Sequence, residues 1–274
     1  MGVSAMRPTL DTDFFSLALP RAIGHRGSAG TCPENTMVSY QAAVDAGAQY
    51  LELDIHTSRD GKVVVSHDGE LNRACGRPGV IRELDYVDIV SADAGFVFSP
   101  DGKSFPFRGR GIRIPLLQEV LSAFAATRFV IEVKQTEPSV VAALLGALEE
   151  TGMRRMVLVA SEHQAPIDEV RALAPEIPTN FPYQEVAGFL QAIASRSADY
   201  SPPGDALQIP PEYESWRLVS RETVEAAHRF GVEMHVWTVN EESEMRELLE
   251  LGVDGILSDY PARLLKVVRE MPWD

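Results

Sequence analysis

Two acids, Glu52 and Asp54, stand two residues apart in the run YLELDIHTSRDGKVVVSHD at residues 50–68. In an extended chain residues two apart project from one face. Both carboxylates therefore point together, with Leu51, Leu53 and Ile55 on the other side. Asp60-Gly61 is a tight-turn signal, and the valines that follow predict a returning strand over 62–66, whose register sets His67 opposite Asp54. Like charges facing the inside of a fold are costly unless something positive joins them. Other stretches supply complementary groups: His25 and Arg26 end a short apolar run, Glu132 and Lys134 stand two apart in FVIEVK, and Trp237 lies in MHVWTV. Three carboxylates (Glu52, Asp54, Glu132) suit a hard divalent cation such as Mg²⁺ or Ca²⁺. Arg26 and Lys134 suit a phosphate, and His25 with His67 suits an acid and a base.

Such a set needs a scaffold that brings distant segments to one place. Apolar β-rich runs alternate with helical patterns along the whole chain. Strands are predicted at 22–24, from Tyr50 toward the Asp60-Gly61 turn, and at 129–134, 156–161, 178–181 (weak), 206–209, 234–239 and 255–258. Helices are predicted at 34–46, 115–126, 139–151, 166–173, 185–196, 220–230, 241–251 and 261–269, several of them stopped by a glycine. Alternation of this kind argues a parallel sheet, and eight units argue a (β/α)₈ TIM barrel. The alternative is an open doubly wound sheet, but its G-x-G-x-x-G fingerprint is missing from the sequence. The stretch from Gly69 to Arg113, rich in Gly, Pro, Arg and Phe, is too long for an ordinary loop. It reads as an insertion in the second βα connection, over the barrel mouth, within a single domain spanning residues 1–274. In a barrel, catalytic groups sit at the C-terminal ends of strands, where His25, Arg26, Glu52, Asp54, Glu132, Lys134, Trp237 and Asp259 all fall.

The 274 residues are 45% hydrophobic, enough for one large core. A net charge of −15 argues against nucleic acid or an anionic membrane as partner, since those take basic surfaces. Two cysteines, Cys32 and Cys75, build neither a disulfide framework nor a zinc site. No apolar run reaches the roughly 18 residues of a membrane span. The FFSLALP run at 14–20, preceded by Asp11 and Asp13, suits a signal peptide badly. These points favour a cytoplasmic protein, and they leave the oligomeric state open.

The ordered motifs HRG (25–27), PENT (33–36), ELDIHTSRDG (52–61), HD (67–68), EVK (132–134), VWTVN (236–240) and DGILSDYP (254–261) resemble the glycerophosphodiester phosphodiesterase family. The similarity runs from about Ile23 to Pro261. It implies a barrel of the phosphatidylinositol-phospholipase-C type that uses a divalent metal to cleave glycerophosphodiesters to an alcohol and glycerol 3-phosphate. It implies Glu52, Asp54 and Glu132 as metal ligands, His25 and His67 as the acid/base pair, Arg26 and Lys134 as phosphate contacts, and Trp237 as a wall of the site. Asn72-Arg73-Ala74-Cys75 stands where members commonly have an Arg-Thr-Thr run, and Pro115-Leu116-Leu117 where they have Pro-Thr-Leu.

Other readings accompany this one. Glu34 is either a ligand or a helix-starting group. His56 lines the mouth or faces solvent, and His163, His228 and His235 are structural. Asp259 caps the last helix. Lys103, Arg108, Arg110 and Arg113 either attract an anionic substrate or form a solvated loop. Phe96, Phe98, Phe105 and Phe107 of the insertion stand where an acyl chain would meet them if the substrate were a lipid phosphodiester, cleaved in the manner of a lysophospholipase D or sphingomyelinase D. A phosphate-binding protein without turnover is the alternative from outside enzymology, and intact acid/base and ligand positions weigh against it.

Overall fold

The computed structural model describes residues 12–197 and 199–272. The first half of the barrel is built from β1 (Arg21–Gly24), α1 (Met37–Asp45), β2 (Tyr50–Thr57), β3 (Val63–Val65), α2 (Asn72–Cys75), α3 (Tyr86–Ile89), α4 (Leu117–Ala123), β4 (Arg128–Val133), α5 (Val141–Thr151) and β5 (Val157–Ala160). The second half holds α6 (Gln164–Leu173), α7 (Tyr183–Ala194), β6 (Ala206–Ile209), β7 (Glu212–Tyr213), β8 (Trp216–Arg217), α8 (Arg221–Arg229), β9 (Glu233–Val236), α9 (Glu242–Leu251), β10 (Gly255–Ser258) and α10 (Pro261–Glu270). Seven strands pair in the order β5-β4-β2-β1-β10-β9-β6, every neighbour parallel. Strands buried on both faces read as near-continuous apolar runs, as RAIG, VLVA and GILS do here.

The eighth strand, expected at 178–181, is reduced to two residues. Thr179 bridges Val159 of β5 and Asn180 bridges Ala206 of β6, both in parallel, so the two ends of the seven-stranded sheet meet across this seam. Pro178 contributes a carbonyl, accepting from Val159 N at 2.9 Å, but has no N–H to donate. Side chains add to the backbone bonds from Asn180 N to the Val159 carbonyl and from Asp205 N to the Thr179 carbonyl. Asn180 exchanges two hydrogen bonds with the Ser161 backbone, Asp205 accepts from Thr179 N, and Arg171 donates to the Thr179 hydroxyl and the Asn180 carbonyl while pairing with Glu185.

Apolar side chains pack in two large clusters between strands and helices, and a smaller one fills the barrel interior with Ile23, Tyr50, Val130, Leu158, Ala206 and Leu257. Phe14, fully buried, joins the interior group against Tyr50. At the N-terminal ends of the strands Arg21, only 2% exposed, donates to both oxygens of Glu233 at 2.6 Å, to the Tyr50 hydroxyl, and to the carbonyls of Phe15 and Leu17. Five acceptors around one guanidinium make this a fully satisfied buried charge, the condition under which burial is tolerated.

The insertion folds as a flank. Leu71, Cys75, Ile81, Ile89, Ala92 and Ile114 form their own small core on Val64 of β3. The four phenylalanines expected over the mouth pack on each other and on Arg108, which stacks over Phe96 and Phe105, while Phe98 meets Phe107 edge to face. Val64 is the cross-strand partner of His56 on the hairpin.

Candidate active site

The register of the sheet assembles the acids. Asp54 of β2 and Glu132 of β4 are direct partners in a parallel pair, and Glu52 lies one pleat below on the same face as Asp54. One oxygen from each of Glu52, Asp54 and Glu132 lies within 4.8 Å of the others. Glu52 and Asp54 are nearly inaccessible, at 2% and 1%. Two cations answer the three acids. Arg26 Nε is 3.3 Å from Asp54, and Lys134 Nζ is 2.7 Å from Glu132 and 3.5 Å from Asp54.

Local backbone explains how Arg26 reaches inward. It adopts φ +50°, sparsely populated for a residue with a side chain. The turn aims its N–H at Glu52 Oε2, 2.8 Å away. Gly27 follows at φ +87°, and a Cβ there would overlap the Ser39 backbone, so the turn closes only with glycine. Thr36 caps α1 by accepting from Ser39 N. Asn35, just before it, donates to Asp54 Oδ2 at 2.8 Å and accepts from the Tyr40 hydroxyl.

Burial with Asp54 alongside pushes the Glu52 carboxyl well above the usual carboxylate range. Burial and Asp54 raise Glu132 to about 7 against the pull of Lys134. Burial also acts to raise Asp54, but Arg26, Lys134 and His67 outweigh it and hold that carboxyl below its ordinary value. Asp54 Oδ1 is nonetheless buried without a hydrogen-bond partner. A carboxylate oxygen left so, beside two further carboxylates, fits the inner shell of a hard cation. The donor set is all oxygen, which suits a hard divalent cation such as Mg²⁺ or Ca²⁺.

Each histidine is held by a carboxylate. His25 Nδ1 lies 2.7 Å from Asp259 Oδ1, and Asn240 fixes Asp259 by donating to Oδ2 and accepting from its backbone N–H. An ionised carboxylate only accepts, so Nδ1 carries a proton and Nε2, 4.0 Å from Glu52, is turned into the site. Asp259 is therefore an orienting group and not the expected cap of the last helix, whose N-cap residue is Tyr260; its carboxyl is held low by His25 against burial. His67 Nδ1 likewise lies 2.6 Å from Asp68. The hairpin pairs Ile55 with Val65, and Ser66 N donates to the Asp54 carbonyl. Ser66, not His67, is thus opposite Asp54, because the connection from Ser58 to Lys62 is one residue shorter than the expected register needs.

Arg73, the first basic residue of the insertion, was not legible as a site group. It donates to Asp68 Oδ2 at 2.6 Å and to both oxygens of Glu34 at 2.5 and 2.8 Å, and Glu34 in turn pairs with Arg26. Glu34 therefore joins the two arginines and stays outside the acidic triad. His56 is 7% exposed and bonds the His67 carbonyl, so it supports the hairpin and does not line the mouth. His228 and His235 pair with Asp254 and Glu233, as structural histidines do.

A cavity of about 770 Å³ opens on this constellation. His25, Arg26, Glu52, His67, Glu132, Lys134 and Trp237 line it, while no residue of 69–113 does. The insertion phenylalanines and the basic stretch from Lys103 to Arg113 therefore stand away from the cavity, contrary to their expected place over it.

Residues 25–263 match the model of the Glycerophosphoryl diester phosphodiesterase family. The chain is 29% identical over 255 residues to a glycerophosphodiester phosphodiesterase of Caldanaerobacter subterraneus, covering 90% of this chain and 97% of that protein. It is also 29% identical over 260 residues to one of Bacillus subtilis, covering 89% and 85%. The solved structure of an Oleispira antarctica phosphodiesterase in complex with its product sn-glycerol-3-phosphate superposes with a TM-score of 0.75 at 26% identity, covering 92% of this chain and 98% of that one.

Proposed function

The chain belongs to the glycerophosphoryl diester phosphodiesterase family, and from that premise we propose how its residues divide the hydrolysis of a glycerophosphodiester to an alcohol and glycerol 3-phosphate. The reading rests on one observation above the others: three carboxylates, two cationic side chains and two carboxylate-held histidines converge at the strand ends of one barrel. Glu52, Asp54 and Glu132 hold a divalent cation, Mg²⁺ or Ca²⁺. When bound, such an ion polarises a phosphoryl oxygen and lowers the pKa of a coordinated hydroxyl. Arg26 and Lys134, already within reach of the acids, take the remaining phosphate charge. One histidine accepts the proton of the attacking oxygen, and the other donates one to the departing alcohol as the P–O bond to that alcohol breaks. Asp259 and Asp68 keep the two Nε2 atoms turned toward the substrate. Trp237 forms a wall.

The whole chain acts as one phosphodiesterase domain, with residues 69–113 as its appended flank. Among the described residues no helix is long and apolar enough to cross a membrane. We place the protein in the cytoplasm, in keeping with two unpaired cysteines.

The test is an assay of glycerophosphocholine hydrolysis with and without exhaustive chelation. Glycerol 3-phosphate and choline should appear, cease to appear after chelation, and return with Mg²⁺ or Ca²⁺. Full turnover by the chelated protein would remove the metal from the scheme; release of glycerol with phosphocholine would overturn the assignment of the broken bond.

A further inference from the structure

Beside its phosphate end the cavity carries a carboxylate that the hydrolysis leaves without a task. Glu162 stands two residues past β5, at the C-terminal end of the barrel, and lines the cavity together with Glu132, Tyr183 and Tyr213. Ala160 pairs with Glu132 across β4 and β5, so Glu162 lies two residues beyond the partner of that acid. It is half-buried, and among the described residues no arginine, lysine or histidine pairs with it. The cations of the same cavity are engaged, Arg26 by Glu34 and Asp54, Lys134 by Glu132 and Asp54. A half-buried carboxylate without a cation is costly until one arrives. Two tyrosines stand beside it. Tyr183 opens α7, its N–H donates to the Glu162 carbonyl at 3.2 Å, and its hydroxyl faces the Glu162 carboxylate. Burial and then Glu162 push the Tyr183 phenol up, and Tyr213 and Glu132 act in the same direction, so the four groups share one neighbourhood. Tyr213 is delivered by the hairpin of β7 and β8. The two rings remain 57% and 58% exposed, which leaves their faces available to a ligand.

We propose that Glu162, Tyr183 and Tyr213 form a headgroup subsite for a quaternary ammonium, and so select a departing alcohol that carries a fixed positive charge. The inference rests on the phosphodiesterase reading above and names which alcohol that site prefers. With the phosphate among Arg26, Lys134 and the acids, the ester arm of the alcohol runs toward the loops after β5 and β6, where these three residues stand. A carboxylate flanked by aromatic faces is the chemistry that holds such a group. The ring faces attract the charge, and its methyl groups call for no hydrogen bonds. A primary ammonium brings three N–H donors that need acceptors. Beyond Glu162 and the tyrosine hydroxyls, Val186, Leu190 and Leu218 make the nearby lining apolar, so ethanolamine is held less well than choline. A neutral alcohol gains nothing from the carboxylate. No bond forms or breaks at the subsite, and the P–O bond to the alcohol is cleaved as described above.

The test measures kcat/KM of the metal-loaded protein for glycerophosphocholine, glycerophosphoethanolamine, glycerophosphoglycerol and the 3,3-dimethylbutyl ester, the uncharged isostere of the choline ester. Glycerophosphocholine should exceed the isostere and glycerophosphoglycerol by about tenfold, and glycerophosphoethanolamine by about threefold, through KM more than kcat. Glu162→Gln should shrink the choline-to-isostere ratio to under about threefold, and Tyr213→Leu should bring the choline-to-ethanolamine ratio to about one. Should either variant fold poorly, the unmodified protein decides: choline should inhibit glycerophosphoglycerol turnover about tenfold more tightly than 3,3-dimethylbutanol does. Equal kcat/KM for the choline ester and its isostere, or a preference for ethanolamine, overturns this inference alone. So does a choline preference that survives both substitutions, which would trace it to the net charge of −15 and not to these residues. Absence of glycerol 3-phosphate from all four reactions would instead overturn the reading on which it rests.

Discussion

Replacing Glu233 by Gln tests whether the buried pair at the far end of the barrel carries stability and nothing else. Burial acts to raise the Glu233 carboxyl, but Arg21 and His235 overcome it and bring the carboxyl down to about 2 from an ordinary 4.5. A depressed carboxylate contributes stability that is full above its unfolded pKa and lost as pH falls through the folded one. The difference, near 2.5 pH units at roughly 1.4 kcal/mol each, amounts to about 3 kcal/mol at pH 7. Gln keeps the shape and one acceptor but not the charge, leaving Arg21 with a weaker partner. Urea unfolding at pH 7 should therefore place Glu233→Gln about 3 kcal/mol below the parent. About a quarter of that gap should close by pH 4, as the carboxylate in the unfolded parent protonates. The soluble variant should keep its kcat, since His25 stands at the opposite end of β1 from Arg21. A loss under about 0.5 kcal/mol at pH 7, or a gap that stays constant down to pH 4, would refute the linkage argument. A large fall in kcat of the folded variant would show that the two ends of the barrel are not independent.

His25→Ala and His67→Ala should each lower kcat by about 10²–10⁴, with the double variant far above the product of the two losses; an effect below about fivefold would exclude that residue from proton transfer, as steady-state kinetics on the metal-loaded variants will show. Arg73→Ala should unlock Asp68, and with it the orientation of His67, lowering kcat by about tenfold and reshaping the pH profile while KM changes little. Recovery of the parent profile by Arg73→Lys would support positioning, whereas an unchanged profile in Arg73→Ala would reduce the residue to a surface tie.

The barrel and the acid triad were legible because their signals are local or periodic. Two-residue spacing on a strand fixes a face, so Glu52 with Asp54 and Glu132 with Lys134 could be oriented without coordinates. The pairing of Asp54 with Glu132 across β2 and β4 then followed from the fold. Partners far apart in the chain gave no such signal. Asp259 reads as a helix-starting acid, and only the closing of β10 onto β1 carries it to His25. Arg73 sits in a segment whose composition suggests a loop, and nothing in its neighbours announces Glu34 or Asp68. The phenylalanines misled because aromatic residues in an insertion suit a lid as well as a small core. Which of the two forms depends on what they pack against, and here Arg108 stacks on Phe96 and Phe105 while Phe98 meets Phe107.

The seam at Thr179 and Asn180 bears on how such a chain can vary. A ladder of backbone hydrogen bonds is indifferent to the side chains it carries, so the laddered joints of this ring can drift among Val, Ile, Leu and Ala and still close. The remaining joint adds side-chain chemistry to its few backbone bonds: an amide on the Ser161 backbone, a carboxylate under the Thr179 N–H, a guanidinium shared between a hydroxyl, a carbonyl and Glu185. Substitution there must come in matched pairs, Arg171 with Glu185 or Arg171 with Thr179. The helix that begins three residues beyond Asn180 inherits that constraint at its root and is free of it along its length.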